Sequence, residues 1–232
     1  MQTTAAQIAR MMDLSAVRTD VTLEEVERLA AVAKRFQCIC VFVMPCYVKM
    51  LQSLLKDQHD IHIGGVVGFP SGAATTSIKV AETRQYVALG IDEIDMVLNV
   101  GWLMSGHDEM VKQDIEAVVE AAAGIPLKVI LECHYLTDEQ MRRGAELVAE
   151  SGATFVKTGT GWAPTGATLE NVKLLKETVG DRVEVKAAGG VRDLETVVEM
   201  IRRGVTRFGV GAVSGAKILE ECEQLPGGIV EI

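Results

Sequence analysis

A chain of 232 residues, 48% apolar and 24% charged, carries enough apolar material for a sizeable core, and this composition excludes a disordered chain. Its formal net charge of −9 argues against nucleic acid or an anionic membrane as the main partner, while a local site can still hold a substrate phosphate. No run approaches the ~18 apolar residues of a membrane span, and residues 1–12 lack the apolar run of a signal peptide. The five cysteines are odd in number and without zinc-ligand spacing, so they read as reduced, buried thiols of a cytoplasmic protein.

In chain order, a short strand is predicted at Arg10–Leu14. A helix follows over Thr22–Phe36, opened by a capping box of Thr22 and Glu25, with Leu23, Val26, Leu29, Ala30 and Ala33 on one face. Strands at Cys38–Val43, Ile61–Val67 and Ile91–Leu98 then alternate with helices at Tyr47–Lys56, Ser77–Leu89 and Asp108–Ala123. The alternation continues through strands Leu127–Cys133, Ala153–Lys157, Val183–Ala187 and Arg207–Val210. The remaining helices are Thr137–Ser151, with a capping box of Thr137 and Gln140, then Leu169–Val179, Asp193–Arg203 and Ala216–Glu223.

Gly90, Gly124, Gly152, Gly180 and Gly204 punctuate the helix ends, where glycine tolerates the left-handed turn that closes a helix. The strand runs are rich in Val and Ile and mostly continuous, the pattern of strands buried on both faces of a parallel sheet. Strict alternation of eight strands with eight helices points to an α/β fold, a single (β/α)8 TIM barrel spanning residues 1–232. The alternative, an open doubly wound sheet, lacks its Gly-x-Gly-x-x-Gly fingerprint after the first strand.

Barrel active sites lie at the carboxyl ends of the strands. Lys157 ends the sixth predicted strand and Lys186 the seventh, so a barrel makes them neighbours. Burial and a nearby like charge both disfavour an ammonium, which is what an amine nucleophile needs at neutral pH. On the fourth strand, Asp95 lies deeper than Asp92 and Glu93, where a carboxylate can neutralise a lysine or pass protons through water. Glu132 faces the mouth or supports a loop; Asp13 and Ser15, closing the first strand, position substrate or cap the next segment. His59, His62, His107 and His134 do not converge, so neither a metal nor another cofactor is expected. The loops Ala187–Val191, with Gly189 and Gly190, and Gly209–Gly215, with Gly211 and Ala212, occupy the usual barrel phosphate position.

The motifs Met12-Asp13-Leu14, Gly68-Phe69-Pro70, Ala81-Glu82-Thr83-Arg84, Asp92-Glu93-Ile94-Asp95, Phe155-Val156-Lys157-Thr158 and Val185-Lys186-Ala187 with Gly189-Gly190-Val191-Arg192 occur in this order. From Met11 to Gly215 the chain resembles the deoxyribose-phosphate aldolase family. The resemblance implies that Lys157 forms a Schiff base, that Lys186 depresses its pKa, and that Asp95 moves protons through a bound water. It also implies a small aldehyde or sugar-phosphate substrate, held by Asp13, Ser15, Thr158, Gly189, Gly190, Gly211 and Ala212, and a dimeric or tetrameric homo-oligomer. The implied reaction is reversible cleavage of 2-deoxyribose 5-phosphate to acetaldehyde and glyceraldehyde 3-phosphate.

Departures from the family pattern cluster around the substrate. Gly211 and Ala212 stand where paired serines commonly hold phosphate, and Gly159 stands in the common Lys-Thr-Ser-Thr-Gly. Trp162 follows that segment, and Phe42-Val43-Met44-Pro45 replaces a common Cys-Val-Asn-Pro. Two further readings therefore stand beside the first: a Schiff-base aldolase for an unphosphorylated or differently sized aldol, and a sugar-phosphate binding barrel without turnover.

Overall fold

Short strands, buried on both faces, pair side by side until the last meets the first, closing the sheet into a barrel. The computed structural model describes residues 2–232. In chain order the elements are β1 (Gln2–Thr4), α1 (Ala5–Ala9), β2 (Met12–Ala16), α2 (Leu23–Phe36), β3 (Cys40–Val43), α3 (Val48–Leu55), β4 (His62–Val67) and α4 (Thr76–Leu89). There follow β5 (Glu93–Val97), α5 (Val100–Met104), α6 (Asp108–Ala121), β6 (Leu127–Ile130), α7 (Asp138–Glu150), β7 (Phe155–Lys157) and α8 (Leu169–Val179). The chain finishes with β8 (Glu184–Ala188), α9 (Leu194–Arg202), β9 (Val205–Val210), α10 (Ala212–Glu223) and β10 (Ile229–Glu231). Strands β2 to β9 form the closed parallel barrel, β9 pairing back onto β2. This is the predicted (β/α)8 architecture.

The outward faces of the strands pack under the helices in one continuous apolar layer that includes Leu14, Val41, Ile94, Val129, Val156 and Val185. The barrel interior is different: its small apolar cluster is Cys40, Phe42 and Val66, and around it seven buried charged side chains share the space with Gly64 and Phe155. Phe42 fills the space that Gly64 leaves, since a Cβ on Gly64 would stand 2.2 Å from the ring. Behind the mouth, fully buried Lys79 of α4 reaches Val97 O at 3.0 Å and Asp114 of α6 at 2.5 Å. That ion pair ties two helices to the end of β5.

Several boundaries differ from expectation. The first barrel strand starts at Met12 rather than Arg10, because α1 occupies residues 5–9 and Arg10 caps it while donating to Asp60 O at 2.7 Å. The strand expected to reach Cys133 stops at Ile130; Glu132 has φ 56° and Cys133–Tyr135 form a 3-10 turn. The last helix begins at Ala212, not Ala216, so the expected glycine-rich loop is largely a helix start. Thr22 accepts from the Glu25 N–H, but the Glu25 carboxylate pairs with Arg18, so the box is half formed, and Leu23 is 59% exposed. The Thr137 box is complete. The antiparallel pair β1–β10 and the helices α1 and α5 carry no marked periodicity and were not expected.

Candidate active site

Strand register brings the two lysines together: Lys157 of β7 pairs with Lys186 of β8. Both amines converge on one oxygen, Asp95 Oδ2, at 2.7 and 2.6 Å. Lys186 also lies 2.6 Å from Asp13 Oδ2, an ion pair without hydrogen-bond alignment, and its Nζ sits 4.3 Å from the Phe42 ring centroid. Beneath them, Arg207 Nε donates to Asp13 Oδ1 at 2.7 Å and its Nη2 meets Glu93 at 2.5 Å. Lys128 Nζ binds Glu93 Oε2 and stands 3.5 Å from Asp95 Oδ1.

These two lysines differ in access. Lys157 is 6% exposed and lines a cavity of about 210 Å³, whereas Lys186 is fully buried and does not reach it. Burial lowers the Lys157 pKa to about 8; Asp95 acts against that shift, and Lys186 adds to it. Burial alone would raise Asp95, but Lys157, Lys186 and Lys128 outweigh it and hold the carboxyl well below the usual carboxylate range. Lys157 therefore both opens into the cavity and gives up its proton readily.

The cavity lies on the β7–β8–β9–β2 side of the mouth. Ser15, Gly189, Gly190 and Gly211 line it, joined by Arg18, Arg192 and Ser214. Gly189 and Gly190 have φ of 84° and 98°, which only glycine adopts without strain. Gly211 caps α10 without a side-chain hydrogen bond, leaving the first-turn N–H groups of that helix for an anion. Three expected substrate contacts lie elsewhere. Asp13 is fully buried in the charge network, Ala212 is buried in the first turn of α10, and Thr158 bonds to Ala188 through both N–H (2.9 Å) and C=O (2.8 Å).

Trp162 crosses the mouth. Its Nε1 donates to Val17 O at 2.8 Å, and its ring stands edge-on to Phe69 with centroids 6.2 Å apart. It lines both the Lys157 cavity and a second cavity of about 360 Å³ formed with Pro70, Ser71, Val100, Glu132, Tyr135 and Ala163. Glu132 supports the loop rather than presenting a free carboxylate, accepting from the Thr160 hydroxyl and N–H. A Cβ on Gly159 would stand 2.8 Å from Glu132 Oε1, which gives this glycine a physical reason.

Asp13, Cys40 and Glu93 bring ligand-type atoms within 4.8 Å of one another. Arg207 and Lys128 already neutralise both carboxylates, and burial pushes the Cys40 thiol well above its ordinary value, so this donor set is poorly suited to a cation. His62 bonds Glu93 and His134 bonds Thr165, on opposite sides of the barrel sheet. Sequence reasoning passed over Lys128, Arg207 and Arg18. Lys128 and Arg207 carry a readable signal: Lys128 is a lone charge inside an apolar run, in register with Asp95, and Arg207 is the one charge of its strand.

Comparison with known proteins agrees with this geometry. The profile of the DeoC/LacD family aldolases matches residues 6–221. Deoxyribose-phosphate aldolase of Klebsiella pneumoniae is 46% identical over 234 residues, covering 100% of this chain and 94% of its own. The enzyme of that name from Sinorhizobium medicae is also 46% identical, covering 97% and 91%. The solved tetrameric deoxyribose phosphate aldolase of Aeropyrum pernix superposes with a TM-score of 0.86 at 26% identity, covering 96% of this chain and 93% of that one.

Proposed function

The chain belongs to the DeoC/LacD family of aldolases, and we propose that it is a class I aldolase reversibly cleaving 2-deoxy-D-ribose 5-phosphate to acetaldehyde and D-glyceraldehyde 3-phosphate. The observation that carries this reading is the asymmetry of the lysine pair: Lys157 opens into the cavity while Lys186 is sealed behind it. In the cleavage direction, neutral Lys157 adds to the C1 aldehyde, and loss of water leaves an iminium. A base removes the C3 hydroxyl proton, the C2–C3 bond breaks, and its electrons flow into the iminium to give an enamine. Glyceraldehyde 3-phosphate departs, C2 of the enamine is protonated, and hydrolysis returns acetaldehyde and the free amine. Asp95, 2.7 Å from the reacting nitrogen, is the group assigned to these proton transfers through water. The iminium is the electron sink, so no step of this route calls on a metal ion.

Phosphate binding is supported at the β8 and β9 ends, where Arg18, Arg192, Ser214 and the start of α10 face the Lys157 cavity. Arg192 is exposed and makes no hydrogen bond or ion pair among the described residues. A second reading, an unphosphorylated aldol substrate, is favoured by Gly211 and by buried Ala212, neither of which offers a side-chain donor. Comparing kcat/KM for phosphorylated and plain deoxyribose decides between them; equal values refute the first. Borohydride trapping with acetaldehyde tests the chemistry itself, and a folded protein without added mass on the Lys157 peptide would overturn it.

No helix among the described residues is long and apolar enough to cross a membrane. The reading includes a single barrel domain in the cytoplasm, supported by five free cysteines, and a homo-oligomer that light scattering would detect.

A further inference from the structure

The barrel interior holds four basic side chains, Lys128, Lys157, Lys186 and Arg207, against three carboxylates, Asp13, Glu93 and Asp95. They form one connected chain of contacts. It runs from Lys157 through Asp95 to Lys186 and Asp13, then through Arg207 to Glu93 and Lys128. Lys128 closes the loop, 3.5 Å from Asp95 and 3.8 Å from Asp13. All seven side chains are buried, so the water that would screen an excess charge is excluded. The network meets its surroundings at two ends: Lys157 opens into the cavity at the mouth, and at the amino-terminal face the His62 ring, 41% exposed, lies 2.8 Å from Glu93 Oε1.

With every basic group charged, the interior carries one uncompensated positive charge. It reaches balance when one group loses a proton, and Lys157 is the member that opens into the cavity. We propose that Lys128, Arg207 and Glu93, on the floor of the barrel and out of reach of substrate, are positioning residues that set the charge state of Lys157 by fixing the balance of this closed network. Lys186 is shared between Asp95 and Asp13, each 2.6 Å away, so one cation there faces two carboxylates; Arg207 and Lys128 supply the further positive charge that Asp13 and Glu93 need, which limits what those carboxylates add to proton retention on Lys157. The Lys157 shift to about 8 agrees with this balance. Other charged groups near Lys157 are accounted for: Glu132 is engaged by Thr160, Arg18 by Asp20 and Glu25, and exposed Arg192 lines the cavity. The inference rests on Lys157 being the Schiff-base lysine.

The test is the pH dependence of borohydride trapping of acetaldehyde on the Lys157 peptide, in full-length protein. Absence of any trapping in the wild type refutes the aldolase reading itself, which separates that failure from this one. Lys128→Met removes a floor cation and leaves three cations to three carboxylates, so Lys157 keeps its proton and the acidic limb moves up by on the order of one pH unit. Glu93→Gln removes a carboxylate and moves the limb down by a similar amount. The combined variant K128M/E93Q deletes a directly bonded pair, restores the one-charge excess, and returns the limb to its wild-type position.

Opposite displacements by residues that touch no substrate are not produced by a merely structural role. Limbs that stay put in both single variants, or move the same way in both, overturn the proposal. Where one single variant does not fold, the other decides together with the balanced pair: a limb displaced in the single variant and returned to the wild-type position in the pair supports the assignment, and a limb unmoved in the single variant, or displaced by about a unit or more in the pair, overturns it.

Discussion

Lys157 and Lys186 stand in register on adjacent strands and donate to the same oxygen of Asp95, from 2.7 and 2.6 Å. One carboxylate oxygen thus serves two amines, and the amine that opens into the cavity competes with a sealed rival for its only ion-pair partner among the described residues. This arrangement keeps Lys157 anchored while making its proton easy to lose.

The pH dependence of imine formation follows from that competition. Because burial lowers the Lys157 pKa to about 8, the reactive neutral amine grows as pH rises through that value and is roughly a tenth of the total one unit below it. Lys186→Leu removes a like charge, so Lys157 holds its proton more tightly and the acidic limb of kcat/KM moves to higher pH. An unchanged limb would show that the two amines are not coupled. Folding stability carries the same signature: the folded pKa lies below the ordinary 10.5, so the unfolded chain binds more protons between about 8 and 10.5. This group's contribution to stability therefore improves as pH rises through that window and is least favourable below it.

Asp95→Asn separates nucleophile from proton transfer. Asp95 raises the Lys157 pKa, so its loss shifts the amine toward the neutral form and trapping continues at lower pH. Proton exchange at the enamine carbon, followed by deuterium uptake into acetaldehyde, falls by roughly 10²-fold or more when the general acid-base group is removed. The variant also leaves two buried amines without their shared partner and loses on the order of 3–5 kcal/mol, read by denaturant unfolding. Normal deuterium uptake would remove Asp95 from the proton transfers.

Gly159→Ser restores the residue common in the family yet is expected to destabilise this chain. Its Cβ meets Glu132 Oε1 at 2.8 Å, and Glu132 is not free to move because Thr160 binds it. A loss of about 1–3 kcal/mol is expected from the forced displacement, measured as a drop in Tm. The double variant Gly159→Ser with Glu132→Gln relieves charge but not volume and recovers little; full recovery would locate the conflict in charge instead.

Trp162→Ala removes the wall shared by the Lys157 cavity and its 360 Å³ neighbour. Carbonyl compounds with an apolar substituent, such as butanal, gain relative to acetaldehyde in trapping at Lys157, by about tenfold for the ~1.4 kcal/mol of a newly accommodated pair of methylenes. Trp162→Phe keeps the ring but loses the bond to Val17, and retains most of the wild-type preference. Equal losses for both aldehydes in Trp162→Ala would show that the indole does not partition the mouth.

Local chemistry is legible in the sequence. Continuous Val/Ile runs, helix-closing glycines and threonine caps identify eight strands in alternation with helices, and that alternation, without a Gly-x-Gly-x-x-Gly fingerprint after the first strand, points to a barrel with Lys157 and Lys186 on neighbouring strands. Residue types and order also carry the family resemblance, which later comparison bears out. The start of α10 at Ala212 was not legible, because small residues give a helix no periodic signal until packing supplies it. Nor were the partners of Asp13, Glu93, Lys128 and Arg207. Inward positions on separate strands are joined only by barrel closure, and whether a strand charge is paired or exposed depends on what closure places opposite it. The sequence by itself placed two lysines at the ends of neighbouring strands; tertiary structure decided which of them reaches the cavity and which charges balance it, because burial and pairing are properties of side chains brought together from distant strands.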